Sequence, residues 1–103
     1  MNAEIKQKWV EALRSGKYQQ TKNLFACDGK HCAVGVLIDL YLKENDKSEI
    51  VIDELESMPT SVSLWAELES PTFETPISIL DVMELNDAGH PFADLADFIE
   101  CNL

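Results

Sequence analysis

A chain of 103 residues is expected to form one domain, 1–103, with a single core. Its 46% hydrophobic content excludes an intrinsically disordered chain, and no run of roughly 18 apolar residues offers a membrane span. The net charge of −11 is carried unevenly: residues 1–47 hold six acids against eight bases, a net of +2, and residues 48–103 hold thirteen acids and no Lys or Arg, a net of −13.

That second half has no cation of its own to pair with. It should project a negative field that repels nucleic acid and attracts basic surfaces. The opening MNAEIKQKWVEALRSG is charged throughout and lacks the apolar block of a signal peptide, so the expected location is cytoplasmic. Three cysteines, an odd number, fit reduced thiols better than a disulfide framework.

In chain order, the first helix is predicted over Ala3–Ser15, capped by Asn2 and ended by Gly16. Ile5, Trp9, Leu13 and Ala12 form its apolar stripe, and Glu4 is set to pair with Lys8 four residues on. The Asp28-Gly29 turn signal in CDGK predicts a short β-hairpin, with residues 23–26 before it and 31–33 after it. Tyr18 and the Gln pair precede it, placed to pack or to bond to backbone.

The second helix is predicted over Cys32–Lys43. Val34, Val36, Leu37, Ile38, Leu40 and Tyr41 make it apolar on nearly every side, as suits a central helix covered all round. Gly35 in its interior costs about 1 kcal/mol relative to Ala, a cost that close approach by another backbone explains. The first helix, beneath Trp9, is the expected neighbour. EIVIDELESM carries both strand and helix spacing and is read as a short extended segment. Thr60 or Ser61 should then cap a short helix holding Val62, Leu64, Trp65 and Leu68, followed by the loop ESPTFETP.

Thr75 caps and Pro76 opens a helix through Asp87, with Ile77, Leu80, Met83 and Val82 toward the core. Gly89 ends it. Pro91 opens the last helix, whose apolar face is Phe92, Leu95, Ala96, Phe98 and Ile99. The predicted fold is mainly α, or α+β with its small β-hairpin: a compact single domain of about five helices around the central apolar helix, with Trp9, Trp65 and Phe98 as large core fillers.

Trp9–Leu13 as W-x3-L, then SGKYQQ, CAVGVLIDL and LNDAGHPFADLADFIE, occur in an order that resembles a family of small, largely uncharacterised proteins carried by bacteriophages and prophages. The family pattern reads W..AL.SG.Y.Q, CxxGVL, then LND.G..F..IAD.IE. The resemblance spans nearly the whole chain apart from residues 44–58, and its last motif is the most specific. It implies a phage-related, cytosolic, α-rich accessory protein, and it assigns no catalytic residues.

Several chemistries are weighed against plain packing. Cys27, His31 and Cys32, with His90 or Cys101, offer zinc ligands, but C-x4-C is looser than a C-x2-C knuckle and no second knuckle follows. Cys32 at a helix start is a candidate nucleophile with His31 or His90 as base; a thiol packed beneath the first helix is the preferred reading. The pair VMELNDAGHPFADLADFIE has the shape of a DNA-reading corner but no Lys or Arg for phosphates, so direct nucleic-acid binding is not expected. Its Asn86 and Asp87 are expected to satisfy backbone groups near the helix end. No D-x-D-x-D-G loop is present for calcium. No metal, cofactor, catalytic residue or membrane contact is assigned.

The acidic half carries the preferred functional reading. Glu67, Glu69, Glu74, Asp81, Glu84, Asp94, Asp97 and Glu100 are expected to mimic the charge spacing of a nucleic-acid backbone and to dock on a basic surface of a host protein. The expected activity is non-enzymatic: binding, and inhibition, of a defence or nucleic-acid-handling factor in the host cytosol. The alternative is a sequestering protein for a nucleotide signal, using Arg14, Lys17, Tyr18 and Lys22, with two faces of a homo-oligomer enclosing one nucleotide.

Overall fold

The structure is a computed structural model, and it describes residues 1–46, 51–52, 55, 58–68 and 77–103. Among these residues are five helices and a two-stranded antiparallel hairpin: α1 Ala3–Arg14, β1 Ala26–Cys27, β2 Lys30–His31, α2 Ala33–Glu44, α3 Thr60–Trp65, α4 Ile77–Asp87 and α5 Phe92–Asn102. The α2 helix is the axis. It touches α1, α3, α4 and β2, while α1 lies along α5 and α4 turns back against α5.

The start of α1 follows from Asn2, whose Oδ1 accepts the Ile5 N–H at 3.0 Å and satisfies one of the helix's orphan donors. Gly16, at φ +76°, then reverses the chain. Ile5, Trp9 and Leu13 are buried as the stripe predicts; Val10 joins them and Ala12 is half-buried. The expected Glu4–Lys8 pair is replaced by a longer-range one. Lys8 Nζ lies 2.8 Å from Glu44 at the far end of α2. An exposed i,i+4 pair is worth only a few tenths of a kcal/mol, so the packing of α1 on α2 decides where the lysine goes.

The hairpin is in register Ala26↔His31 and Cys27↔Lys30. Asp28 and Gly29 both take positive φ, as a two-residue I′ turn requires. The preceding chain adds to it: His31 N–H donates to the Gln19 carbonyl (2.8 Å) and Thr21 N–H donates to the His31 carbonyl (3.0 Å).

On α2, every residue from Ala33 to Ile38 is buried, and Tyr41 with them. Gly35 does mark a close approach, but the neighbour is not α1. A Cβ at Gly35 would overlap the backbone carbonyl of Phe25, just before β1. The helix starts at Ala33 with Cys32 as its cap, so the thiol sits outside the first turn rather than in it.

Three expectations about the second half need correction. The α3 cap is Pro59, which makes no side-chain cap bond, and Thr60 is already helical. On α3, Val62 is buried but Leu64 is 74% exposed, and Trp65 is half-buried with its ring edge-on to Tyr41 at 5.4 Å. Around residue 52 the chain turns rather than extends: Leu55 N–H donates to the carbonyl of the buried Ile52 at 3.1 Å. The rest of the EIVIDELESM expectation, at 49–50, 53–54 and 56–57, the loop at 69–76 and the Thr75–Pro76 helix start lie outside the described residues, as does the side chain of Ile77.

The third correction is the phase of α4. Ile79, Val82 and Asn86 are buried, whereas Leu80 is 47% exposed and Met83 is half-buried. The α4 sequence is apolar at too many positions for periodicity to choose one face, and the polar Asn86 turns out to point inward. After it, Gly89 at φ +102° and Pro91 as cap place α5, which buries Phe92, Leu95, Ala96 and Ile99 with Phe98 at the edge.

Candidate functional site

The first turn of α2 is the point where the elements meet. Asn86, fully buried on α4, accepts the Ala33 N–H (3.1 Å) and the Gln20 Nε2–H (2.9 Å) on Oδ1, and donates from Nδ2 to the Thr21 carbonyl (2.8 Å). The backbone groups that Asn86 satisfies thus belong to distant segments, not to its own helix end. Its neighbour Asp87 likewise accepts the Asn23 N–H at 2.8 Å. Trp9 Nε1–H donates to the Ala33 carbonyl at 2.8 Å from the other side. These bonds fix where the α4–α5 corner sits and which α4 side chains face outward.

Cys32 closes the same turn. Its Sγ accepts the Gly35 N–H at 3.3 Å, and its own N–H donates to the Phe25 carbonyl at 3.1 Å. The thiol is buried and lines a hollow together with Phe25, Leu55 and Met83. Burial pushes its pKa up, and the backbone N–H groups of Gly35 and Val34 oppose that only in part. A nucleophile needs the opposite shift, so the position reads as a cap and a core group. Because the folded thiol holds its proton more tightly, its contribution to stability is full below the ordinary thiol pKa of about 8.5 and is lost as pH rises through the raised one. Cys32→Ser keeps a capping oxygen and removes that titration. Urea melts from neutral to alkaline pH should show wild-type stability falling more steeply than that of Cys32→Ser, and equal slopes would contradict a buried neutral thiol.

The thiols and imidazoles considered for zinc are not gathered: no group of three or more His, Cys, Asp or Glu is placed for a metal among the described residues. His31 presses edge-on to the Tyr18 ring at 5.1 Å, and its Nδ1 is buried with no hydrogen-bond partner among the described residues.

The acidic residues fall into two rows. On α4, Asp81 and Glu84 are exposed, and Asp87, expected to satisfy backbone groups near the helix end, is exposed as well and extends them with the same spacing of three. On α5, Asp94, Asp97 and Glu100 repeat that spacing and are exposed. Neither helix contains Lys or Arg. The α5 row is partly answered from the other half of the chain: Arg14 of α1 lies 2.6 Å from Asp97 and 2.7 Å from Glu100. His90 lies 3.9 Å from Asp94. Among the described residues no salt bridge reaches the α4 row. Glu67 stands apart at the end of α3, where it accepts from Asn2 Nδ2 at 2.6 Å. Glu69 and Glu74 lie outside the described residues.

The alternative basic set is dispersed. Arg14 is held by α5, and Lys22 lies beside Gly89 at the α4–α5 corner. Lys17 and Tyr18 do share a shallow hollow of about 480 Å³ between α1 and α2 with Lys8 and Lys43. There, Tyr18 donates to Asp39, which also holds Lys43 at 2.9 Å, and burial followed by the Asp39 bond raises the tyrosine pKa. Glu44 holds Lys8 in turn. Two of the hollow's three lysines are therefore already neutralised.

The family model of a domain of unknown function, DUF8296, matches residues 1–103. The chain belongs to that family. No curated protein and no solved structure matches it. Membership in DUF8296 therefore brings no assigned activity, and no helix among the described residues is long and apolar enough to cross a membrane.

Proposed function

We propose that this protein is a non-enzymatic accessory protein that binds a basic surface of another protein through the carboxylates of α4 and α5. The observation that carries the reading is the repeated spacing of Asp81, Glu84 and Asp87 and of Asp94, Asp97 and Glu100, all exposed on helices without a cation. A step of three residues is about 4.5 Å of helix rise, about a third longer than the rise of about 3.4 Å per phosphate along one DNA strand. A groove built for nucleic acid would meet a run of regularly spaced negative charges of the same order of interval, and nucleic acid itself would be repelled. The phage-type motifs supply the setting: a host defence or nucleic-acid-handling protein in the cytosol, inhibited because its groove is filled.

The test compares two tagged proteins in bacterial lysate, the wild type and Asp81→Asn/Glu84→Gln/Asp94→Asn, whose three positions are exposed and outside the Arg14 bridge. Bound material is washed at rising salt, then analysed for proteins and for small molecules released by heat. A stoichiometric basic protein that leaves as salt rises, and binds the neutralised variant at least about tenfold more weakly, is the expected result. Retention of the same protein by both would remove the acidic rows from the interface. A nucleotide with no protein partner would favour the sequestering alternative at the Lys17–Tyr18 hollow.

A further inference from the structure

Beside the α4 row the surface opens into a hollow of about 280 Å³, lined among the described residues by Leu24, Phe25, Leu55 and Met83, with Cys32 and Asp87 alongside. Leu24 is 50% exposed at its edge, and Leu80, one turn before Met83 on α4, is 47% exposed. These are two of the four large apolar side chains exposed among the described residues. Bonds already described frame the hollow: Asp87 at the end of α4 ties down the backbone at Asn23, and the Phe25 carbonyl takes the Cys32 N–H, so both ends of the 23–25 segment are fixed.

Resting on the proposed reading of the acidic rows, we infer that this hollow is an anchor site for one aliphatic side chain of a basic partner helix, which the carboxylates of α4 hold in register. Charge selects that occupant and size admits it. Small-molecule pockets generally start near 300 Å³ and enclose most of their ligand; this hollow of about 280 Å³ is at that lower bound and open to solvent, with room for one aliphatic side chain. The rim carries Asp87, with Glu84 about one turn back; Asp81 lies toward the other side of α4, and the helix holds no Lys or Arg. An apolar anchor with a carboxylate at its rim fits an amphipathic helix that carries Leu, Ile or Met at spacings of three and four among Lys or Arg. An acidic or neutral helix would lose the charge contacts, and a purely basic one would leave the hollow unfilled. Binding energy at interfaces concentrates in such central apolar anchors, with surrounding charges setting register and rate.

Two synthetic helical peptides of equal length and charge separate the ideas, both rich in lysine and alanine, one carrying leucine (the lysine–leucine peptide) and one carrying serine (the lysine–serine peptide) at the same positions, spaced three and four apart on one face. Titrations use protein labelled at its methionine methyl groups. The chain has three methionines, of which Met83 lines the hollow while Met58 is buried and Met1 is half-buried, so two signals serve as internal references. The lysine–leucine peptide should shift the Met83 methyl and bind at least about tenfold more tightly than the lysine–serine peptide. Leu24→Glu should abolish that advantage although it adds a negative charge, and its circular dichroism and melting temperature should stay near wild type because Leu24 is half exposed. If both peptides bind equally, salt weakens both and Met83 does not move, the anchor is wrong and the acidic reading stands. If neither binds at low salt, both fall.

Discussion

Asn86→Leu is expected to lower the unfolding free energy by about 3–5 kcal/mol, one of the largest single-site effects in the chain. The two side chains are similar in size, so the loss is not a cavity effect. It is the loss of an amide whose capacity is nearly all used: two acceptor positions taken by Ala33 N–H and Gln20, one donor given to Thr21, and a second donor 3.5 Å from Asp87. Leucine leaves the buried Ala33 N–H and the Thr21 carbonyl without that partner, each at about 1–3 kcal/mol. Gln20 retains a bond to the His90 carbonyl at 2.7 Å, so its share is smaller. For a domain of this size the melting temperature should fall by at least about 12 °C. Asn86→Asp supplies a second measurement. A carboxylate still accepts from Ala33 but cannot donate to Thr21, whereas the protonated acid can, so its defect should shrink as pH falls. A loss under about 1 kcal/mol for Asn86→Leu would mean that water or a relaxed backbone replaces the amide.

The contrast between Asn86 and the residues around it shows what the sequence could reveal. Asn2, Gly16, Asp28-Gly29 and Gly89 act through their own backbone or the next few residues, so each was legible as a start, a stop or a turn. The centrality of α2 was legible too, because a helix apolar on every side has no solvent face. Asn86 looked like a helix-end residue because its partners lie 53 to 66 positions away. Once it faces inward, Leu80 faces out, and the predicted phase of α4 is lost. The same limit hid the Arg14 bridge to Asp97 and Glu100. Local periodicity shows that the two halves carry opposite charge and not that α1 lies against α5. In the candidate site, the exposed acidic positions of α4 and α5 were readable from composition. The hollow beside Asp87 needed the third dimension.

Gly35→Ala should destabilise the protein by about 2–4 kcal/mol, against the sign expected for the helix alone. In an isolated α2 peptide, alanine gains about 1 kcal/mol of helix propensity over glycine, so circular dichroism of that peptide should show more helix. In the folded protein the new Cβ meets the Phe25 backbone, overlapping its carbonyl oxygen and lying 2.8 Å from its carbonyl carbon. A flexible side-chain end would move aside. This carbonyl cannot do so cheaply, because it accepts the Cys32 N–H at 3.1 Å and leads directly into β1. Relief requires α2 to back away, and α2 is buried from Ala33 to Ile38 with Trp9 and Asn86 bonded to its first residue. Gly16→Ala is the matching control: nothing lies near its Cβ, but its φ of +76° disfavours any side chain, so its loss should be nearer 1 kcal/mol. The pair separates lack of room from backbone conformation. A full-length Gly35→Ala protein that melts above the wild type would show that Phe25 yields, and that glycine is not what lets the 23–25 segment lie against α2.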